Sequence, residues 1–305
     1  MNQMTEVANL CTPYGRRGSQ FEVEYHPEHA TIWGRFNPRG TPCFSLGLLN
    51  DIRHHDEALE MNAGNVLFEG AVRPVHYYVV ASRTAGIFNL GGDLALFVLL
   101  IKARDRDALS HYARRCIDCI YPRIRNYFSP TMTTIALVQG DALGGGFETA
   151  LASDVIVAEE SARLGLPEIL FSLFPGMGAL SLLSRRVGPR LAEQLVLSGR
   201  IATAAELHEL GVIDVLAKDG EGEAAAYNWI RKNQKRRNGT QAVFAARQHV
   251  QPINREELDA IADVWVDAAL RLEDKDLRMM ARIVRSQQRR MRGEEEAETL
   301  LEAAA

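Results

Sequence analysis

The sequence lacks the features of a secreted or membrane-spanning protein. Its first 20 residues contain neither an apolar run of about 7–15 residues nor a small-residue cleavage site, so they do not predict a secretory signal. No apolar stretch reaches the roughly 18 residues that a bilayer-spanning helix needs, and the longest candidate, residues 94–102, ends in a lysine. We therefore predict a soluble, cytoplasmic protein.

Cysteine is scarce, and metal-binding patterns are missing. Of the four cysteines, Cys116 and Cys119 form a CxxC, but neither a second CxxC nor a nearby HxxxH accompanies them. The surrounding segment HYARRCIDCIYPRI predicts the interior of a helix, so we interpret both as ordinary helix cysteines. The eight histidines show no metal-ligand spacing, and we predict no bound metal.

Several recognition loops are also absent. The glycines at residues 144–146 are not followed by the Lys and Ser/Thr of a Walker loop, and neither GxGxxG nor GxSxG occurs. These absences argue against a P-loop protein, a dinucleotide-binding fold and a serine hydrolase. A net charge of −4 gives no overall attraction to nucleic acid or acidic membranes.

The distribution of apolar residues predicts an α/β fold with a helical C-terminal part. A length of 305 residues suits one large domain, or one domain with a smaller appendage. Strand, glycine-rich turn and helix follow one another twice, at residues 75–103 and 133–153, which is typical of a βα sheet with its site at the carboxyl ends of the strands. After residue 178 apolar residues recur almost throughout at helical spacing.

The second glycine-rich turn, residues 140–146, predicts an oxyanion site. It ends in three consecutive glycines that open a helix. Glycines let a ligand approach the backbone and leave N–H groups directed outward. The N-terminus of a helix adds positive partial charge at the same place.

Two glutamates follow this turn. Glu148 lies two residues past the glycines, and the alternative interpretation is a solvent-facing glutamate that stabilises the helix dipole. Glu168 follows Pro167 in a largely apolar run, and the alternative is a glutamate in the first turn of a helix. Acid/base chemistry at a thioester needs a base, an acid and an oxyanion site, which the pair and the glycines together supply.

The segments ALGGGFE, GLPE and LFPGMGA, in this order, resemble the enoyl-CoA hydratase/isomerase (crotonase) superfamily, and FNLGGDLALF resembles its first oxyanion loop. The resemblance implies a ClpP/crotonase-like fold of repeated ββα units. It implies that the N–H groups of Gly92 and Gly145 form an oxyanion hole and that Glu148 and Glu168 are catalytic. Because many members retain one glutamate or neither, the presence of both favours hydration or dehydration.

One subgroup, the diffusible-signal-factor synthases of the RpfF type, is more similar than the generic hydratases. The segments FNLGGDLALF, VQGDALGGGFE and WVDAALRLEDKDLRMMARIVRSQQRR carry this resemblance. It implies dehydration of a medium- or long-chain 3-hydroxyacyl thioester to a cis-2-enoyl thioester, followed by hydrolysis to a free quorum-sensing fatty acid. The alternatives are a catabolic enoyl-CoA hydratase and a non-catalytic binding protein of the same fold.

The resemblance also implies partners and boundaries. The substrate is carried on acyl carrier protein or coenzyme A, no separate cofactor is needed, and we expect a homotrimer or dimer of trimers with a possible regulatory sensor protein. We expect no nucleic acid partner and no membrane insertion. The predicted divisions are an extension at 1–20, a crotonase core with the site at 21–215, a helical region for the acyl pocket and oligomerisation at 216–292, and an acidic tail at 293–305.

An acyl chain requires an apolar pocket. We select Leu143, Met177, Trp265 and Ile283 as its lining, with core packing as the alternative for each. Five basic residues within seven positions are candidates for contacting the carrier protein or a coenzyme A phosphate, and a solvated helix face is the alternative. These are Arg231, Lys232, Lys235, Arg236 and Arg237.

Overall fold

The computed structural model describes residues 18–303, and for residues 290–303 it describes the backbone alone. The predicted extension at residues 1–20 therefore lies almost wholly outside the described residues, as do residues 304 and 305 of the acidic tail. The divisions at residues 215 and 292 stay predictions.

A six-stranded sheet lies at the centre of the described chain. Its strands are β1 (Phe21–His26), β2 (Thr31–Phe36), β5 (Tyr77–Ser82), β7 (Thr133–Val138), β9 (Val155–Glu159) and β12 (Val215–Ala217). They are ordered β1-β2-β5-β7-β9-β12, with β1 antiparallel to β2 and the other neighbours parallel. Every residue of β2, β7 and β9 is buried, as expected for parallel strands covered on both faces.

A smaller sheet continues from the carboxyl ends of these strands. It contains β6 (Ile87–Asn89), β8 (Asp141–Leu143), β10 (Arg163–Gly165) and β11 (Ile201–Thr203), in the order β11-β10-β8-β6. Sequence reasoning did not predict these strands, because three residues are too few to show an alternating pattern. A separate hairpin, β3 (Asn65–Phe68) and β4 (Ala71–Pro74), was also missed.

Helices surround both sheets and dominate the C-terminal part. They are α1 (Leu46–Met61), α2 (Leu94–Ala103), α3 (Arg106–Ile124), α4 (Gly145–Leu151), α5 (Ala179–Val187), α6 (Pro189–Ser198), α7 (Ala204–Glu209), α8 (Gly222–Gln234), α9 (Arg237–Val250), α10 (Arg255–Ala269) and α11 (Asp274–Ala303). Short 3-10 helices lie at Pro27–His29, Asn126–Phe128 and Pro167–Phe171. The helix predicted at the end of the unit 133–153 is α4, which already begins within the glycine run, at Gly145.

The helices cover the two faces of the main sheet unequally. On one face α8 packs against β7 and β9, where Ala226 and Ile230 meet Ile135, Leu137 and Val157. The larger core lies on the other face, between the sheets and α1, α3 and α4. Helix α10 packs on α3, and α11 packs on α2 and on the 3-10 helix Pro167–Phe171. The last two helices therefore lie over the carboxyl ends of the strands.

Candidate active site

Glu148 lies in the first turn of α4, inside the protein. Its side chain is 1% exposed, which excludes the solvent-facing alternative. Its Oε1 atom accepts hydrogen bonds from the backbone N–H groups of Met177 at 2.8 Å and Ala179 at 2.9 Å. Burial raises the pKa of Glu148 to about 7, although the backbone hydrogen bonds oppose the shift because they stabilise the carboxylate.

Glu168 lies in the 3-10 helix Pro167–Phe171 and faces the same space. Its Oε2 atom is buried and has no hydrogen-bond partner among the described residues. Burial, and secondly the charge of Glu148, raises the pKa of Glu168 to about 8. Two neighbouring carboxyls that titrate close to neutral pH are suited to an acid/base exchange.

Two backbone N–H groups lie beside these carboxyls without an acceptor in the described part of the chain. Gly145 is the first residue of α4, so its N–H has no partner within the helix. Gly92 pairs with Phe44 in an isolated parallel bridge, yet its own N–H is unbonded. Such free N–H groups can bind a developing oxyanion.

The two glycine-rich loops, which contain Gly92 and Gly145, approach each other closely at Gly91. Gly91 has a left-handed φ of 88°, and a Cβ there would lie 2.7 Å from the carbonyl oxygen of Leu143 and 3.0 Å from the nitrogen of Gly145. A side chain would therefore obstruct one of the two N–H groups. Glycine at this position keeps the Gly145 N–H accessible.

One cavity of about 90 Å³ brings all the predicted site residues together. Its walls include two carboxyls, two glycines of the oxyanion loops and four apolar side chains that the sequence suggested for an acyl pocket: Gly92, Leu143, Gly145, Glu148, Glu168, Met177, Trp265 and Ile283. Their chemical roles stay predictions, but their convergence is a property of the fold. The two carboxyls and an apolar wall thus line a single cavity.

Comparison with known proteins identifies the family. Residues 79–285 match enoyl-CoA hydratase/isomerase, which is more than half of the chain. The chain belongs to this family. Both the crotonase superfamily and the crotonase fold predicted from the sequence are confirmed.

Among its relatives, cyclohexa-1,5-dienecarbonyl-CoA hydratase of Thauera aromatica is 38% identical over 161 residues, which are 52% of this chain and 61% of that protein. Human mitochondrial methylglutaconyl-CoA hydratase is 35% identical over 154 residues, which are 50% of this chain and 43% of that protein. The matched region thus spans about half the length of these relatives. In structure, Pseudomonas aeruginosa DspI is similar with a TM-score of 0.62 and 25% identity, over 79% of this chain and 83% of that chain.

The C-terminal helices of this enoyl-CoA hydratase/isomerase family member close one side of the cavity. Trp265 of α10 is 6% exposed, and its ring meets that of Phe97 with centroids 5.0 Å apart. Phe97 in turn meets Tyr112 edge to face at 4.9 Å. Ile283 and Gln287 of α11 complete this side.

Sequence reasoning missed several residues that line the cavity. Tyr112 and Cys116 lie four residues apart in α3, so both face the site, but this spacing equally predicts core packing. Cys116 and Cys119 lie within α3 as predicted, and both are buried free thiols. The polar Gln287 was indistinguishable from other polar residues of α11, because only tertiary packing places it at the cavity.

The basic cluster lies away from the cavity. It spans the end of α8 and the start of α9, where Asn233 donates to the Tyr77 hydroxyl at 3.4 Å and Gln241 donates to the carbonyl of Thr131. Tyr77 and Thr131 lie at the amino ends of β5 and β7, whereas the cavity lies beyond their carboxyl ends. This placement argues against a direct role of the cluster at the site of its own chain.

Among residues 18–289, whose side chains are described, no group of three or more His, Cys, Asp or Glu could hold a metal ion. In the same part of the chain, no helix combines the length and apolar character needed to cross a membrane.

Proposed function

We propose that this protein dehydrates a medium- or long-chain 3-hydroxyacyl thioester to a cis-2-enoyl thioester and then hydrolyses it to a cis-2-unsaturated fatty acid. One observation carries the proposal: Glu148 and Glu168 face a common cavity with the two free N–H groups of Gly92 and Gly145. A non-catalytic binding protein would have no need of buried carboxyls whose pKa values lie near neutrality.

Dehydration begins with removal of a proton from C2 of the substrate by one glutamate. The electron pair moves to the thioester oxygen, where the N–H groups of Gly92 and Gly145 stabilise the enolate, each by about 3 kcal/mol. The enolate then collapses to the C2–C3 double bond, and the 3-hydroxyl departs as water after it takes a proton from the other glutamate. One carboxyl must therefore be ionised and the other protonated, a state that pKa values of about 7 and about 8 favour near neutral pH.

Hydrolysis would use the same groups in a second reaction. A water molecule, deprotonated by a glutamate, attacks the thioester carbonyl, and the resulting oxyanion again lies against Gly92 and Gly145. The C–S bond then breaks, and the thiol of the carrier leaves with a proton. The free acid is the product of this second step.

The acyl chain would occupy the apolar side of the cavity. Leu143 and Met177 lie beside the oxyanion loops, and Trp265 and Ile283 come from the C-terminal helices. Each buried methylene contributes about 0.8 kcal/mol, so an apolar wall favours chains long enough to reach it. This wall supports a medium-chain substrate over a short one.

We further propose that the substrate is carried by acyl carrier protein or coenzyme A, and that the protein works in the cytoplasm as a homotrimer or dimer of trimers with a possible regulatory sensor protein. Helix α9 has no buried residue in the isolated chain, and Val243 and Val250 on it are 65% and 79% exposed. Apolar residues on such a helix suit a contact between subunits. Light scattering at micromolar protein concentration tests the proposed oligomeric state, and a monomer would contradict it.

A catabolic enoyl-CoA hydratase is the second candidate. The relatives named above are CoA hydratases, and the same carboxyls and N–H groups would add water to a trans-2-enoyl-CoA. The two candidates differ in product: the first releases a free cis-2-enoic acid, and the second leaves the acyl group on its carrier.

Mass spectrometry distinguishes these candidates. Lipid extracts of cells expressing the wild-type chain should contain a new free cis-2-enoic acid, and extracts of cells expressing Glu148→Gln or Glu168→Gln should not, because both proton transfers are needed. Glu209→Gln, on the exposed end of α7, is the matched control and should retain the product. Purified protein that hydrates crotonyl-CoA but releases no acid would favour the catabolic candidate.

A further inference from the structure

Tyr112 makes two hydrogen bonds beside the first oxyanion loop. Its side chain is 3% exposed and its ring lines the cavity. Its hydroxyl donates to the carbonyl oxygen of Phe44 at 2.6 Å and accepts from the N–H of Asp93 at 3.1 Å. One buried hydroxyl therefore joins two backbone segments that are distant in sequence.

These two segments enclose Gly92. The N–H of Phe44 donates to the carbonyl of Gly91 at 2.7 Å, and Phe44 is the bridge partner of Gly92. Asp93 follows Gly92 directly. A parallel bridge has a hydrogen bond on each side of the bridged residue. Here the Phe44–Gly91 bond forms one side, and the Tyr112 hydroxyl connects Phe44 to Asp93 on the other.

Other hydrogen bonds also support the loop. The N–H of Leu90 donates to the carbonyl of Pro42 at 2.8 Å, which is a second tie to the segment that contains Phe44. The side-chain Oδ1 of Asn89 accepts from the N–H of Gly91 at 2.8 Å, and the side chain of Asp93 accepts from the N–H of Leu96. These bonds fix residues on either side of Gly92, and the Asp93 side chain caps α2, but none of them links the loop to α3. Tyr112 links it to α3, a helix of 19 residues that is anchored in the core.

The chemistry of the hydroxyl suits this bridging role. A phenol both donates and accepts only while it is protonated. Burial raises the pKa of Tyr112 far above its usual range, so the proton stays on the oxygen throughout the working pH range. Both hydrogen bonds are thereby maintained together.

We propose that Tyr112 is a positioning residue of the oxyanion hole, which directs the Gly92 N–H at the thioester oxygen by holding Phe44 and Asp93 through its hydroxyl. This inference rests on the proposed use of Gly92 and Gly145 as oxyanion donors. It does not depend on which thioester is the substrate or on the hydrolysis step.

Tyr112→Phe tests the inference, because it keeps the ring that lines the cavity and removes both hydrogen bonds. Misplacement of a catalytic group by about 1 Å can cost about 100-fold, so we expect kcat to fall by about 10- to 100-fold. KM should change by less than about threefold, since the apolar lining is unchanged. Tyr121→Phe is the matched control: it lies in the same helix, and its hydroxyl makes no hydrogen bond within the described residues.

A readout that needs no turnover separates this inference from the proposed function. A 3-oxoacyl thioester forms an enolate that absorbs in the near ultraviolet, and an oxyanion hole lowers the apparent pKa of the bound enolate. Stabilisation that is tenfold weaker in Tyr112→Phe would raise that apparent pKa by about one. A protein that binds the enolate but makes no cis-2-enoic acid would overturn the proposed function and leave this inference standing.

A double variant that combines Tyr112→Phe with Gly92→Ala shows whether Tyr112 acts through Gly92. A Cβ at residue 92 would lie 2.7 Å from the Phe97 ring, so this variant displaces the donor by itself. The double variant should then lose little more than Gly92→Ala alone, because residues that act as a unit are not additive. Three outcomes would overturn the inference: additive losses, an unchanged enolate pKa in folded Tyr112→Phe, or no enolate binding by the wild type.

Discussion

The carboxyl of Glu168 lies directly against the backbone of Gly144. A Cβ added at residue 144 would fall 2.3 Å from the Oε1 atom of Glu168, a distance at which one of the two groups must move. Gly144 also has a left-handed φ of 52°, which side chains rarely adopt. The first of the three consecutive glycines therefore leaves room for a carboxyl that is 24 residues further along the chain.

Gly144→Ala should consequently displace Glu168 and lower kcat by at least about 100-fold, because proton transfer depends on the position of the carboxyl. Gly220→Ala is a matched control for backbone strain: its φ is 80°, and a Cβ there would meet nothing within 4 Å. The control should lose some thermal stability and keep its activity. Equal activity of the two variants would contradict the assigned position of Glu168.

The activity should depend on pH in a bell shape. Burial raises the pKa values of Glu148 and Glu168 to about 7 and about 8, and the reaction needs one carboxyl ionised and the other protonated. Below both pKa values the base is lost, and above both the acid is lost, so kcat/KM should be greatest between them. A rate profile measured on the purified protein checks this. A profile that stays flat from acidic to alkaline pH would exclude the pair as acid and base.

Much of this site was predictable from local sequence. The two predicted units of strand, glycine-rich turn and helix, residues 75–103 and 133–153, contain β5 with α2 and β7 with α4. The glycines and glutamates were recognisable because oxyanion binding and acid/base chemistry restrict which residues can occupy those positions. Each motif is local in sequence, and the fold needs only to bring three short segments together, which carry Gly92, Gly145 with Glu148, and Glu168.

The supports of the site were not predictable in the same way. Tyr112 is 68 residues from its acceptor Phe44, and nothing in its own segment distinguishes a bridging hydroxyl from a core tyrosine. Gln287 reaches the cavity only because α11 packs on α2. The strands of the smaller sheet have three residues each, so their pairing depends on tertiary context. Long-range contacts of this kind leave no periodic pattern in the sequence.

The raised pKa of Glu168 also predicts how stability depends on pH. The unfolded chain loses this proton near the ordinary value of 4.5, whereas the folded chain holds it until about 8. Between these values the unfolded state binds fewer protons, so the free energy of unfolding falls as pH rises and stays low above the folded pKa. Glu168→Gln has no carboxyl to ionise, so its free energy of unfolding should not fall in this way. At about pH 9 it should exceed that of the wild type by at least about 1 kcal/mol.

Urea denaturation at about pH 5 and about pH 9 measures the effect, and the difference between wild type and Glu168→Gln should shrink toward the lower pH. The exposed Glu209→Gln should show no such difference at either pH. A Glu168→Gln variant that is less stable than wild type at alkaline pH would show that the carboxylate is held by favourable contacts rather than destabilised by burial.

The position of Trp265 predicts a limit on acyl chain length. Its ring lies against Phe97, and a Cβ at Gly176 would fall 2.6 Å from it, so the indole packs directly against the loop that contains Gly176 and Met177. A Trp side chain buries roughly 150–250 Å² of surface, and its removal frees room for several methylenes. Trp265→Ala should weaken the preferred medium-chain substrate, relax discrimination toward longer chains and matter little for a crotonyl thioester.

A purely structural tryptophan would behave differently, and Trp229→Ala provides that comparison. Trp229 packs on Tyr77 at the opposite face of the main sheet, with ring centroids 6.4 Å apart, and does not line the cavity. Trp229→Ala should lower the melting temperature and reduce kcat/KM equally at every acyl chain length. Trp265→Ala should instead change the chain-length profile itself, because each methylene that contacts the indole contributes about 0.8 kcal/mol to binding. Measurement of kcat/KM over a series of thioesters of increasing chain length, together with the melting temperature, decides between the two roles. If Trp265→Ala, like Trp229→Ala, reduced kcat/KM equally at every chain length, Trp265 would be a core residue and not part of the acyl pocket.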